Sequence, residues 1–178
     1  MPRNVEIKAR VHDLAALREV AAGIATEDPV VLQQHDVFYR VGAGRLKLRR
    51  FPDGRSELIR YQRSDASGPK TSDYDIFCTG DGQALHDLLA AALGVRGEVI
   101  KTRTLLVAGR TRIHLDRVAG LGDFMELEVV LEEGESSAAG EAEARDLMRR
   151  LGVDPDDLVT GAYLDLLEGS CGPPPPVT

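Results

Sequence analysis

No apolar run in this sequence reaches the roughly 18 residues that a membrane-crossing helix requires. The opening MPRNVEIKAR also lacks the apolar centre of a signal peptide, so a soluble, cytoplasmic protein without a membrane partner is expected. Cysteine is scarce. Cys78 and Cys171 stand in unrelated contexts with no CxxC or Cys/His spacing, which argues against a disulfide framework and a zinc cluster. A basic surplus is missing as well: the formal net charge is −7, so the molecule as a whole repels nucleic acid, and any anion site has to be local. No repeat of fixed period is present. What remains, 43% hydrophobic and 29% charged over 178 residues, is the balance of one globular domain. That domain is expected over residues 1–168, with a disordered, Pro-rich tail at 169–178.

The periodicities predict a β-rich chain with flanking helices. NVEIKARV alternates Asn4, Glu6, Lys8 and Arg10 with Val5, Ile7, Ala9 and Val11, which is strand spacing. Asp13 is placed to cap a helix in which Leu14, Leu17, Val20, Ala21 and Ile24 recur at helical intervals, ending near Gly23. HDVFYRV, GRLKLRRF and SELIRYQR then read as an antiparallel meander, separated by turns at Gly42–Gly44 and at Pro52-Asp53-Gly54. A Gly, Pro and Ser loop follows, with a strand from Ser72 to Phe77 and a helix opened by Asp81. VIKTRTLLVAGRTRIHLDRV reads as two strands joined by a hairpin at Ala108-Gly109-Arg110, and FMELEVVLE as a last strand. Helices are predicted at 141–151 and 155–168, the second from Asp154-Pro155. About eight strands with few protected edges favour closure, so the expected class is α+β: an eight-stranded, mainly antiparallel closed barrel with flanking helices.

The most informative pattern is which charges share a strand face. Glu6, Lys8 and Arg10 share one; so do Arg45, Lys47 and Arg49; Lys101 and Arg103; Arg112, His114 and Asp116; and Glu126 and Glu128. Between them lie Ile7, Leu46, Leu48, Ile113, Leu115 and Leu127. If helices cover the apolar faces, the charges point into the barrel. Lysines and arginines there would neutralise a phosphate chain, while carboxylates offer the hard oxygen ligands that Mg²⁺ or Mn²⁺ takes beside phosphate oxygens. Such an ion lowers the pKa of bound water or a hydroxyl so that it attacks phosphorus.

In order along the chain, NVEIKARV, DVFY, RLKLR, LIRYQR, VIKTR, RIHLDRV with GLGDFMELEV, and AYLDLL resemble the CYTH family, the triphosphate tunnel metalloenzymes, over roughly residues 3–168. HLDRVAGLGDFMELE resembles most the class IV adenylate cyclase branch. The resemblance implies an eight-stranded tunnel, a divalent metal and a triphosphate substrate. It places Glu6 and Lys8 on the family's Glu-x-Glu-x-Lys opening, Glu6, Glu126, Glu128 and Asp116 on metal-binding acids, and Glu6, Lys8, Glu126 and Glu128 in the catalytic set. Lys8, Arg10, Lys47, Arg49, Arg63, Lys70, Lys101, Arg103 and Arg112 become the expected phosphate-binding set. Two positions depart from the pattern: Asn4 stands where the first signature glutamate belongs, and Ser72 where relatives often carry glutamate.

Some roles stay open. His114 fits phosphate binding, proton transfer or a structural place; Tyr163 fits a cover over the tunnel mouth or an apolar helix contact. Asp36 is left outside the catalytic set, and Glu132, Glu133 and Glu135 read as a solvated loop. The expected substrate is a small triphosphate such as tripolyphosphate, ATP or thiamine triphosphate, with no nucleic acid partner, acted on by a monomer or homodimer. Hydrolysis of the terminal phosphate, the expected reaction, and its alternative, cyclisation of ATP to cyclic AMP and pyrophosphate, use the same residues, whereas polyphosphate binding without turnover would need only the basic set and not Asp116, Glu126 and Glu128.

Overall fold

In a computed structural model, residues 3–63 and 70–170 are described, excluding the side chains of Arg63 and Lys70. The predicted loop at 64–69 lies outside the described residues, as does the Pro-rich tail from 171 onward with Cys171. Cys78 is a free, exposed thiol.

Eight strands form one closed antiparallel ring. They are β1 (Arg3–Arg10), β2 (Val30–Tyr39), β3 (Arg45–Arg50), β4 (Ser56–Arg63), β5 (Lys70–Thr79), β6 (Val95–Ala108), β7 (Thr111–Val118) and β8 (Gly122–Leu131). Around the ring the order is β1-β5-β4-β3-β2-β6-β7-β8, so the first strand closes the barrel between β5 and β8. Closure removes the unpaired edges that an open sheet of this size would have to protect.

Four helices lie outside the ring: α1 (Leu14–Ile24), α2 (Gly82–Leu93), α3 (Ser137–Arg150) and α4 (Tyr163–Ser170). Asp13 and Asp81 cap the first two, accepting from the backbone N–H of Ala16 at 2.9 Å and of Ala84 at 3.2 Å. The main core therefore sits between barrel and helices rather than within the barrel. Val5, Ile7, Ile113, Leu115 and Leu127, all buried, point outward and pack with Leu17 and Ala21 of α1 and Ala144 and Leu147 of α3. Each such strand side chain contributes about 1.5–3 kcal/mol on burial. A second cluster joins α2 to the meander through Val37, Tyr39 and Leu48. This arrangement leaves the charged faces for the interior.

Several boundaries move. β2 begins at Val30 and β6 at Val95, each ahead of its predicted start, and the two pair along their length with one irregularity between Phe38 and Tyr39. The single helix predicted at 155–168 is a 3₁₀ turn at Pro155–Asp157 followed by α4, which carries Gly169 and Ser170 as well. α3 starts at Ser137 rather than 141. Its first turn holds Gly140 against the barrel wall, where an added Cβ would stand 2.7 Å from Leu131 Cδ2 and 2.9 Å from Val5 Cγ2. A residue that weakens an isolated helix is thus what admits the helix to the sheet. Glu135 is not merely solvated: it accepts from Arg110 at 2.7 Å.

The close approach at Gly140 separates two glycine substitutions. Gly140→Val should lower the unfolding free energy by about 1–3 kcal/mol through overpacking. Gly23→Ala, in α1 with nothing within 4 Å of its would-be Cβ, should raise it by about 0.5 kcal/mol. Urea unfolding of both variants reads the two signs, and a neutral Gly140→Val would refute the packing described.

Candidate functional site

The barrel encloses a cavity of about 350 Å³. Its charged lining comes from alternate residues of six strands: Glu6 and Lys8 from β1, Asp36 from β2, Lys47 and Arg49 from β3, Lys101 and Arg103 from β6, Arg112 and His114 from β7, and Glu126 and Glu128 from β8. The inside-out alternation read from the sequence is therefore realised for these residues. Glu57, at the start of β4, lines it as well. The remainder of β4 and β5 contributes a different surface of Ile59, Tyr61, Tyr74 and Ile76, continued by Leu32, Phe51 and Leu105.

Two buried aspartates organise the cations. Asp36, 2% exposed, accepts from Lys47 Nζ at 2.8 Å and from Arg49 Nε and Nη2 at 2.8 and 2.9 Å. Asp116, wholly buried, accepts from Lys101 Nζ at 3.2 Å and from Arg103 Nε and Nη2 at 2.7 and 2.5 Å. The geometry repeats because the register repeats. Asp36 stands directly opposite Arg49, and Asp116 directly opposite Arg103, with the lysine two residues earlier on the same face. Burial alone pushes both carboxyls up, but Arg49 and Lys47 in one case, and Arg103 and Lys101 in the other, hold them well below the usual carboxylate range. Both aspartates stay ionised. Asp36, outside the catalytic set expected from the sequence, is as central as Asp116; its signal in the sequence is its place on the Gln34 and Phe38 face of β2.

Asp116 does not line the cavity. Its oxygens are taken by Lys101, Arg103 and the Tyr163 hydroxyl, which donates at 2.9 Å. Tyr163 closes one end of the barrel, its ring packed edge-on against Phe124 at 5.1 Å, with Lys8 Nζ 3.9 Å from the ring centre. Burial, reinforced by Glu126 and Asp116, pushes the phenol well above its ordinary value, so it remains a donor. α4 is held in this position by Asp165, which accepts from Arg45 of β3 and Arg96 of β6, each at 2.8 Å. Gly97 of β6 makes room for Leu164, whose Cδ1 would lie 2.6 Å from an added Cβ. Arg45 thus anchors the closing helix although it shares a face with Lys47. Arg10 is exposed, 5.2 Å over the Phe124 ring, and is not brought to the cavity.

The acids Glu126 and Glu128 lie side by side on β8. Glu126 pairs with Lys8 at 3.1 Å and with Arg103 at 2.6 Å; Glu128 lies 3.6 Å from Arg112. Burial raises the Glu126 carboxyl, but Lys8 and Arg103 outweigh it and hold the group well down; Glu128 is lowered against burial chiefly by His114 and Arg103. Ionised, clustered and facing the cavity, they suit a divalent cation better than proton transfer. His114, Glu126 and Glu128 each present a ligand atom, all within 4.8 Å of one another, so this donor set fits such an ion. Asn4 and Ser72, the two positions lacking the expected glutamates, are direct cross-strand partners on β1 and β5, both buried and both lining the cavity. The two departures are therefore one local change, an uncharged patch beside Glu6. Arg63 and Lys70 end β4 and open β5, with side chains outside the described residues.

The chain matches the CYTH domain family over residues 2–163. It belongs to the CYTH family. Similar solved structures include the PH1012 protein of Pyrococcus horikoshii, 23% identical with a TM-score of 0.82, covering 92% of this chain and 99% of that one. An adenylate cyclase candidate from Vibrio parahaemolyticus is 19% identical with a TM-score of 0.76, covering 93% and 97%. HpAC1 of Hippeastrum, an adenylyl cyclase candidate with a dominant triphosphatase activity, is 12% identical with a TM-score of 0.66, covering 96% and 98%. At these identities the likeness establishes the tunnel fold of this CYTH domain. No curated protein matches the chain. Among the described residues, no helix is long and apolar enough to cross a membrane.

One titration follows from the tunnel's electrostatics. Burial, with Arg103 nearby, pushes the Lys101 ammonium down to about 7 despite Asp116. A polyanion beside it favours the charged form, so binding should draw a proton onto Lys101 at about pH 8 and none at about pH 6. Calorimetric titration of tripolyphosphate in two buffers of different ionisation heat reads this uptake, with Lys101→Arg, always charged, as reference. Equal uptake by wild type and Lys101→Arg at about pH 8 would contradict the assignment.

Proposed function

We propose that this CYTH domain is a divalent-metal-dependent triphosphatase that removes the terminal phosphate of an organic triphosphate, with Mg²⁺ or Mn²⁺ as cofactor. The supporting observation is the division of the cavity wall. Two Lys-x-Arg pairs face it from β3 and β6, and Glu6, Glu126 and Glu128 face it from β1 and β8. Arginine gives planar, bidentate contacts to phosphate and lysine a point charge, so Lys47, Arg49, Lys101, Arg103 and Arg112 would hold the phosphate chain along its length. Glu6, Glu126 and Glu128 would hold the ion, which when bound neutralises phosphate charge and polarises the reacting oxygen.

The resting ion pairs explain why metal and substrate belong together. Lys8 and Arg103 are engaged by Glu126, and Arg112 lies beside Glu128. A polyanion that shares these cations in place leaves the carboxylates less fully neutralised in a largely buried site, at a cost that a bound cation would remove. In the reaction, water attacks the terminal phosphorus and the bond to the bridging oxygen breaks. The organic diphosphate leaves on the bridging oxygen, the proton of the attacking water passes to solvent, and the charge that collects on the leaving diphosphate is met by cations fixed in advance, without reorganisation. Asp116 and Asp36 act as positioning residues here: each fixes a Lys-x-Arg pair and neither is needed as a metal ligand.

A second reading, cyclisation of ATP, is favoured by the other half of the wall. Ile59, Tyr61, Tyr74, Ile76 and Phe51 give an organic group an apolar and aromatic surface that inorganic tripolyphosphate would not use. The same surface suits thiamine triphosphate.

Incubation with Mg²⁺ or Mn²⁺ and, separately, tripolyphosphate, ATP and thiamine triphosphate, read by phosphorus NMR, distinguishes the reactions. Orthophosphate is expected, faster from an organic triphosphate than from tripolyphosphate. Cyclic AMP with pyrophosphate would replace hydrolysis by the second reading, and binding with no product would remove both. Glu126→Gln should lower turnover by at least about 100-fold while circular dichroism remains that of the folded protein. Full activity of that variant would contradict the site.

A further inference from the structure

His114 belongs to the charged lining, yet the triphosphatase reading leaves it without a task. It projects from β7 directly opposite Glu126 and diagonally across from Glu128, the partner of Arg112. The imidazole is 4% exposed, so it is not a solvated surface histidine. Its Nδ1 is buried and makes no hydrogen bond. That atom lies 3.7 Å from Glu126 Oε2 and 3.9 Å from Glu128 Oε1, beyond hydrogen-bond reach of either. A buried nitrogen without a hydrogen bond, facing two ionised carboxylates across a gap wider than a hydrogen bond, has the spacing of ligand atoms around an ion. Two atoms each about 2.1 Å from a common cation stand roughly 3.0 Å apart when adjacent and 4.2 Å when opposite. The three donor atoms, within 4.8 Å of one another, come near that range.

We propose that His114 Nδ1 is a direct ligand of the divalent ion beside the glutamates, so that this chain's metal centre is a nitrogen and carboxylate site rather than an all-oxygen one. The proposal rests on the reading that the tunnel binds a divalent ion. It has a consequence for ion choice. Mg²⁺ prefers an octahedron of oxygens, whereas imidazole suits transition ions, so the site should hold Mn²⁺ or Co²⁺ in preference to Mg²⁺. It also gives the uncharged Asn4 and Ser72 patch a context. Carboxylate is missing at one place on the wall, and an imidazole stands beside the glutamates at another.

Electron spin-echo modulation of Mn²⁺ bound to the intact protein, without substrate, reads the ligand directly. A ¹⁴N coupling from a directly bound imidazole is expected in the wild type and should be lost in His114→Gln. By calorimetry, His114→Gln should weaken Mn²⁺ at least about tenfold and leave Mg²⁺ within about twofold. The wild-type spectrum carries the test even if the variant folds poorly. Mn²⁺ bound without ¹⁴N coupling, as when His114 merely pairs with the glutamates, would overturn the histidine ligand and leave the metal-dependent reading standing. Absence of Mn²⁺ binding, with and without tripolyphosphate, would overturn both.

Discussion

The tunnel depends on two buried aspartates that each hold a lysine and an arginine of a neighbouring strand. A closed barrel whose interior is charged is costly unless its charges are paired and hydrogen-bonded, and Asp36 and Asp116 meet that condition with good geometry on both sides. Each pair is a cross-strand contact, so register alone brings them together. The result is a set of cations fixed before any ligand arrives. Removing Asp36 would leave Lys47 and Arg49 buried without a bonded carboxylate, and removing Asp116 would leave Lys101 so, with Arg103 held only by Glu126, a far larger penalty than losing a surface ion pair.

The placement of the apolar core follows from the same constraint. With the interior given to charge, hydrophobic stabilisation has to come from the outer wall, and α1, α2 and α3 supply it by packing on Val5, Ile7, Leu48 and Leu127. α4 is different. Through Tyr163 it reaches Asp116 itself, so the closure of one end and the setting of the Lys101 and Arg103 pair are parts of one hydrogen-bonded group. The cavity left over is asymmetric, with charge on β1, β2, β3, β6, β7 and β8 and, apart from Glu57, an uncharged, largely apolar and aromatic strip on β4 and β5. That asymmetry is the ground for proposing a substrate with an organic group on its phosphate chain.

Much of this is legible in the sequence because strand alternation is local. Period places Glu6 with Lys8, Lys47 with Arg49, Lys101 with Arg103, and Glu126 with Glu128 on shared strand faces, as it does Arg112 with His114, and the helices available to cover the apolar faces turn these inward. Pairing is not legible. Whether Asp36 meets Arg49 is decided by the register between β2 and β3, a property of two segments and their turn, so alternation by itself gives the aspartate no partner. Parity also overreaches where a strand outlasts the cavity. Arg10 shares a face with Lys8, and Arg45 with Lys47, yet the first lies over the Phe124 ring and the second anchors Asp165. The early start of α3 is hidden for a related reason, since Gly140 reads as a helix breaker until the wall it packs against is known.

The tunnel's cations and carboxylates are matched to each other, so under the proposed function a polyanion and a divalent ion would enter as partners. Calorimetric affinity for tripolyphosphate, measured with excess Mn²⁺ and again in chelator, tests this matching most directly. Binding at least roughly tenfold tighter with the ion is expected. Equal dissociation constants in the two conditions would contradict it.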